Sequence, residues 1–394
     1  MPEQTVRVSL HSNLTRRAFL GTAATLAAGS YLTGQASAEA PAIDMMETKI
    51  ISVDPQIYHG WPTLTRRSNG ELLLVWSGGR EAHVCPFGRV DWMKSFDEGR
   101  SWTWPRTLMD GASDDRDAGV LETADGTILV TTFTSDAWVS VYAKAEAEKW
   151  PNDRLRRWEA AAARLTSDQR QADLGTWMIR STDGGVNWSN RYEVPVNSPH
   201  GPIQLTDGRL LYAGKQLWKD VAKVGVSISS DDGVSWGSVV EIPARDGDDF
   251  NNYHELHAVE ASDGRIIVQI RNHNPKHERE TLQTHSDDGG ETWAVPYSIG
   301  VWGLPSHLLR LRDGRLLMTY GHRRQPLGNQ ARVSDDGGRT WSEPMIVSGD
   351  GTSGDLGYPS TVELSDGSLL SVWYEKLADM PKAVLRQAHW QLKG

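Results

Sequence analysis

Ser95-Phe96-Asp97-Glu98-Gly99-Arg100-Ser101-Trp102 is the first of five copies of one pattern, Ser-x-Asp-x-Gly-x-Ser/Thr/Asn-Trp. The others begin at Ser181, Ser229, Ser286 and Ser334 and end at Trp188, Trp236, Trp293 and Trp341. Each copy reads as a tight hairpin. The Asp carboxylate accepts bonds from turn N–H groups, Gly supplies a positive φ, and Trp packs the turn against neighbouring strands. The box is structural and carries no chemistry of its own.

A second repeat runs out of phase with the first. Its turns are Asn69-Gly70, Asp125-Gly126, Asp207-Gly208, Asp263-Gly264, Asp313-Gly314 and Asp366-Gly367, each followed by an apolar strand such as Leu72-Leu73-Leu74-Val75 or Leu316-Leu317-Met318. Six hairpins at a spacing of roughly 50 residues predict an all-β chain, a six-bladed β-propeller of four-stranded antiparallel blades. The sixth unit has no box before the C-terminus, so the early strand Thr48 to Val53 is expected to complete its outer edge and close the ring. Blade two is longer than its neighbours. The excess, Asp153 to Arg170, has Leu155, Trp158, Ala162 and Leu165 at helical spacing and predicts a helical insertion that covers a blade edge or walls a cleft.

Residues 1–38 are a different kind of sequence. Thr15-Arg16-Arg17-Ala18-Phe19-Leu20 precedes a small apolar run, and Ala36-Ser37-Ala38 offers a cleavage site. This pattern predicts a twin-arginine export signal, with the twin-arginine machinery as partner and a periplasmic or secreted propeller over residues 39–394. The run is too short and too rich in Ala and Gly for a membrane anchor. Removing Glu3, Arg7, Arg16 and Arg17 with the signal leaves 38 basic against 50 acidic side chains. That balance disfavours nucleic acid and anionic membranes. The lone Cys85 forbids an internal disulfide, and no Cys/His spacing suggests a metal site, so no cofactor is implied.

In a propeller the innermost strand of each blade lines the axial channel, and polar residues at its start converge on one mouth. Candidates there are His59, Trp61, Arg80, His83, Asp115, Arg116, Asp117, His200, His254, Glu255, His257, Arg271, His307, Arg323, Arg324, Tyr358 and Glu375. The same few types recur where the inner strands begin, which points to a site.

With boxes, blade count and these positions together, the chain resembles the sialidase (neuraminidase) superfamily over nearly all of residues 39–394. Leu356-Gly357-Tyr358-Pro359-Ser360, followed by Trp373-Tyr374-Glu375, resembles the family segment carrying the tyrosine nucleophile and a supporting glutamate. Tyr253-His254-Glu255 resembles the segment holding the glutamate that polarises that tyrosine, and Arg271 falls where a substrate-clamp arginine would. Arg80, after Ser77-Gly78-Gly79, resembles the Gly-Arg of the first blade. The resemblance implies Tyr358 as nucleophile, Glu255 as its base, and arginines on a substrate carboxylate. A phenol needs such a base at neutral pH, and a carboxylate nucleophile would be repelled by an acidic sugar.

Two positions depart from the family pattern. Gly60-Trp61-Pro62 stands where the first clamp arginine would open blade one, and His83-Val84 stands where the acid/base aspartate would follow Arg80. Arg116 is a replacement clamp, Arg323 or Arg324 a third arginine, and Asp115, Asp117 or His83 a replacement proton donor. Three readings follow. One is an exported exo-acting glycoside hydrolase of sialidase type that releases an acidic sugar from glycans. Another is a polysaccharide lyase using His and Tyr on uronate glycans, which the histidines at the mouth favour. The last is a catalytically silent glycan-binding propeller.

Overall fold

The computed structural model describes residues 41–219, 222–277 and 280–393. They form six four-stranded antiparallel sheets. Blade one runs over the strands Tyr58–Arg66, Leu72–Arg80, Arg89–Ser95 and Arg106–Met109, innermost to outermost. Blades two to five repeat this order from the inner strands Asp114–Glu122, Ile203–Gln204, Tyr253–Glu260 and Ser306–Arg310. Blade six takes Leu356–Glu363, Leu369–Glu375 and Val384–Lys393 from the end of the chain. Its outer strand is Ala42–Ile50, paired from Ala42 against Lys393 to Ile50 against Arg386. The closing strand therefore begins and ends earlier than its apolar stretch suggested. The twin-arginine segment lies outside the described residues.

Each hairpin box is built by its own side chains. Ser95 Oγ donates to Asp97 Oδ1 at 2.8 Å, and the same Asp oxygen accepts the Ser101 N–H at 2.9 Å. Asp183, Asp231, Asp288 and Asp336 repeat the arrangement. The tryptophans do more than pack their own turn. Trp102 lies with the apolar cluster shared by blades six and one, and its Nε1 donates to Gln387 of blade six at 2.8 Å. Trp188, Trp236, Trp293 and Trp341 likewise enter the clusters between their own blade and the one before it. Five of the six interfaces are thus sealed by a box tryptophan. The interface between blades five and six has none and is filled by Trp373 and Trp390, both fully buried.

The insertion in blade two is larger than the sequence suggested, with helices Trp138–Tyr142, Asn152–Ala162 and Ser167–Asp173. Trp138, Trp150 and Trp158 pack over Cys85. Arg154 and Arg157 both pair with Glu81. The insertion therefore braces the loop after the second strand of blade one, which carries His83. Among the described residues no helix is long and apolar enough to cross a membrane.

Trp390→Ala should lower unfolding free energy by about 3–5 kcal/mol, because it empties the one interface without a box. Trp104→Ala, three-quarters exposed, should change it by no more than about 0.5 kcal/mol. Denaturant midpoints of the two variants provide the measurement.

Candidate functional site

Four inner strands break their ladder register where they reach the mouth of the channel. The breaks fall between Gly60 and Thr63, Arg116 and Gly119, His254 and Leu256, and Gly357 and Ser360. The residues inside them include Trp61, Asp117, Glu255 and Tyr358. A bulge releases a side chain from the pleat and re-aims it. Three of these residues are also left-handed, with φ of 52° at Trp61, 52° at Asp117 and 54° at Tyr358. Such backbone costs a non-glycine residue roughly 1–2 kcal/mol and persists only where its surroundings impose it.

The bulges of blades four and six bring Glu255 and Tyr358 together. The Tyr358 hydroxyl donates to Glu255 Oε1 at 2.7 Å. Arg271 Nη1 donates to the same carboxylate oxygen at 2.8 Å and to the phenol oxygen at 3.0 Å. Burial and then the Glu255 charge push the Tyr358 phenol well above its ordinary value. Burial works to raise Glu255, but Arg271 and His254 outweigh it and hold the carboxyl below its usual range. At rest the site is a neutral phenol aimed at an ionised carboxylate, with an arginine bridging both. The second carboxylate oxygen of Glu255 is buried without a hydrogen-bond partner.

Asp117 lies close enough for its charge to act on Tyr358, and burial followed by the nearby Glu255 raises its carboxyl to about 7 despite Arg116. The Arg116 guanidinium stacks over Trp61 at 4.5 Å, its Nε is buried without a partner, and it makes no ion pair among the described residues. Its charge acts on the adjacent Asp117 without closing an ion pair with it. Arg323 spends Nε and Nη2 on the Leu356 carbonyl, at 3.1 and 2.9 Å, on the side of the site where its charge acts on Tyr374 and His273. Arg324 is turned outward over Trp302. His83, half-exposed, stands edge-on to Trp61 at 5.0 Å and shares its Nδ1 with Tyr58 and Asp355.

Other expected contacts are elsewhere. Arg80 is 1 % exposed. It is bound to both oxygens of Asp114, to Ser77 Oγ and to the His83 carbonyl, so it is a strut beneath Trp61 rather than a substrate clamp. Glu375 is fully buried and held by Trp373 Nε1 and Arg386, which removes it from the mouth. His59 uses both ring nitrogens on Trp76 and the Asp54 carbonyl. Asp115 faces away, accepting from the Gly111 N–H and Thr134. His200, His257 and His307 gather further along the inner strands, around a cavity of about 160 Å³ lined also by Thr63 and Thr361. Their ring centroids are 4.6–5.2 Å apart, and burial lowers all three, so they are neutral. His257 Nδ1 accepts the Leu308 N–H. No group of three or more His, Cys, Asp or Glu among the described residues could hold a metal ion.

Sequence reasoning missed Asp355, Tyr58 and Tyr374. Asp355 Oδ1 accepts from both phenols, at 3.0 and 3.1 Å. The only available signal was its position three residues before Tyr358.

The family model described as BNR repeat-like domain matches residues 147–370. The chain belongs to that family. Solved structures share the fold of this BNR-repeat propeller. A protein of unknown function from Dyadobacter fermentans superposes with a TM-score of 0.72 at 21% identity, covering 89% of this chain and 100% of that one. The intramolecular trans-sialidase from Ruminococcus gnavus, in complex with oseltamivir carboxylate, gives 0.62 at 15%, covering 87% and 97%. The Hadza microbial sialidase Hz136 gives 0.60 at 18%, covering 84% of the BNR-repeat propeller and 65% of its own chain. Among curated proteins nothing matches the sequence.

The raised carboxyl of Asp117 yields a signed stability prediction. Well below pH 4, folded and unfolded chains both hold the proton. As pH climbs towards about 7 the unfolded chain ionises first, so stability is lost across that window and not regained above it. Asp117→Asn, which tolerates left-handed backbone, should therefore gain about 2–4 kcal/mol over wild type at pH 8 and little near pH 4. Denaturant titrations at the two pH values check it.

Proposed function

We propose that this propeller is a glycoside hydrolase that releases a terminal acidic sugar, sialic acid or a related ulosonic or uronic acid, through a covalent tyrosyl intermediate. The observation that carries the reading is the triad of Tyr358, Glu255 and Arg271, with bonds of 2.7, 2.8 and 3.0 Å. As the phenol oxygen attacks the anomeric carbon, its proton passes along the 2.7 Å bond to Glu255, so no free phenolate has to exist beforehand. Arg271 offsets the negative charge shared by the two oxygens. Arg116, which closes no ion pair among the described residues, and Arg323, with one nitrogen unspent on the Leu356 carbonyl, are suited to a substrate carboxylate. The fold shared with sialidases supports this class of chemistry.

A lyase reading draws support from one observation, the half-exposed His83 beside a carboxylate and a phenol. An unsaturated product absorbing in the near ultraviolet would favour it over hydrolysis.

Tyr358→Phe should reduce turnover by a factor of about 10³ or more while leaving binding of the acidic sugar within a few-fold. Glu255→Gln should cost about 10²–10⁴-fold in kcat with a smaller change in KM. Steady-state kinetics on sialyl, ulosonyl and uronyl glycosides, with calorimetric titration of the free sugars, supply both readouts. A protein that binds the sugar equally well before and after Tyr358→Phe, and turns over none, would be a glycan-binding propeller instead.

We further propose that the protein works outside the cytoplasm, exported already folded through the twin-arginine machinery. A reporter that fluoresces only when exported folded, fused behind residues 1–38, should reach the periplasm, and Arg16→Lys with Arg17→Lys should retain it in the cytoplasm.

A further inference from the structure

We propose that His83, held by Asp355, moves the leaving-group proton in the hydrolysis described above; the inference rests on that reading. In a retaining mechanism the proton donor stands across the sugar from the nucleophile and reaches the departing oxygen, which points to solvent. Three candidates were open, and their surroundings separate them. The Asp115 carboxylate is bound to Gly111 and Thr134 behind the inner strand. Asp117 is 8 % exposed and acts electrostatically on Tyr358 and Glu255, which places it with the nucleophile on the floor. His83 stands at the rim with nearly half of its side chain exposed, its ring edge-on to the Trp61 indole at 5.0 Å.

The ring is held in one tautomer. Asp355 Oδ1 already accepts the hydroxyls of Tyr58 and Tyr374, at 3.0 and 3.1 Å, so it can only accept again, and His83 Nδ1 at 2.9 Å supplies the third donor. The Tyr58 oxygen lies 2.8 Å from the same Nδ1. Nδ1 therefore carries hydrogen, and Nε2 is left to exchange protons with a ligand. The backbone around it is fixed too. Arg80 Nη2 donates to the His83 carbonyl at 3.0 Å, Lys382 Nζ donates to the Glu81 carbonyl at 2.7 Å, and Arg154 and Arg157 grip the Glu81 side chain.

The step balances. Tyr358 oxygen bonds to the anomeric carbon and its proton goes to Glu255, while the bond to the leaving oxygen breaks and that oxygen takes the Nε2 proton of the imidazolium. In the second half His83 Nε2 takes a proton from water, the water oxygen replaces the tyrosyl oxygen on carbon, and Glu255 returns the proton to Tyr358. Asp355 is a positioning residue and touches no reacting atom.

The test compares two glycosides of one acidic sugar, an aryl glycoside with an acidic phenol leaving group and a disaccharide whose leaving group is a sugar alcohol. His83→Ala should lose about 10²–10⁴-fold in kcat/KM on the disaccharide and less than about tenfold on the aryl glycoside, with added imidazole restoring part of the loss. Asp355→Asn should show the same skew at about tenfold with KM unchanged, and Tyr374→Phe, which removes one donor to Asp355, a smaller skew. Equal losses on both glycosides, no rescue by imidazole, or an unsaturated sugar from wild type would overturn the assignment. Wild type releasing sugar with His83→Ala unaffected would sink this inference alone. Wild type releasing none from either glycoside would sink the hydrolase reading with it.

Discussion

The strand Ala42–Ile50 lies along Val384–Lys393 for eight paired residues, and this antiparallel seam fastens the beginning of the propeller to its end. Its importance comes from where the site residues originate. Tyr358 belongs to blade six, Trp61 and His83 to blade one, Asp117 to blade two, and Glu255 with Arg271 to blade four. Blades six and one are neighbours only because the ring is closed, and the cluster joining them contains both Trp61 and Tyr358. Without the seam, the wall of the site and its phenol would belong to opposite ends of an open array with two exposed sheet edges.

Within the closed ring, electrostatics divide the mouth into two regions. On the floor, Tyr358, Glu255, Arg271 and Asp117 lie among each other's charges, and burial dominates the shifts at both Tyr358 and Asp117. At the rim, His83 and Asp355 meet solvent, and Asp355 stays below the ordinary carboxylate range because donors from His83, Tyr58 and Tyr374 outweigh the effect of burial. Trp61 neighbours both, with its ring centroid 5.0 Å from that of His83 and 6.4 Å from that of Tyr358 and two guanidinium groups on its ring. The indole excludes water between the regions and keeps the floor charges strong.

Much of the fold was legible because hairpin chemistry is local. Ser, Asp and Gly at fixed offsets suffice to build a box, and the turns need nothing from elsewhere in the chain. The reach of each box tryptophan into the preceding blade was not legible, since Trp102 and Gln387 are separated by most of the sequence. In the site, strand position gathered Tyr358, Glu255 and Arg271 among the candidates, and the resemblance of their segments to the sialidase pattern singled them out. Neither indicated which way a side chain would be drawn. Arg80 is captured by Asp114 of the next blade and Glu375 by Arg386 of the adjoining strand, pairings that local sequence does not announce. Asp355, an acid in a loop without periodic pattern, becomes visible only once Tyr58 and Tyr374 converge on it.

The left-handed backbone at Trp61, Asp117 and Tyr358 bears on how this molecule can drift. Glycine relaxes such a kink for any L-residue, and asparagine relieves part of it, so backbone strain taken alone favours a small occupant at all three places. The chain instead carries an indole, a carboxyl group and a phenol there. At Asp117 a smaller or amide occupant would gain thermal resilience and surrender the acid, so there hardening of the scaffold and wear of its reactive opening lie along the same mutational path; at buried Trp61 and Tyr358 the cavity left behind would outweigh the strain relieved.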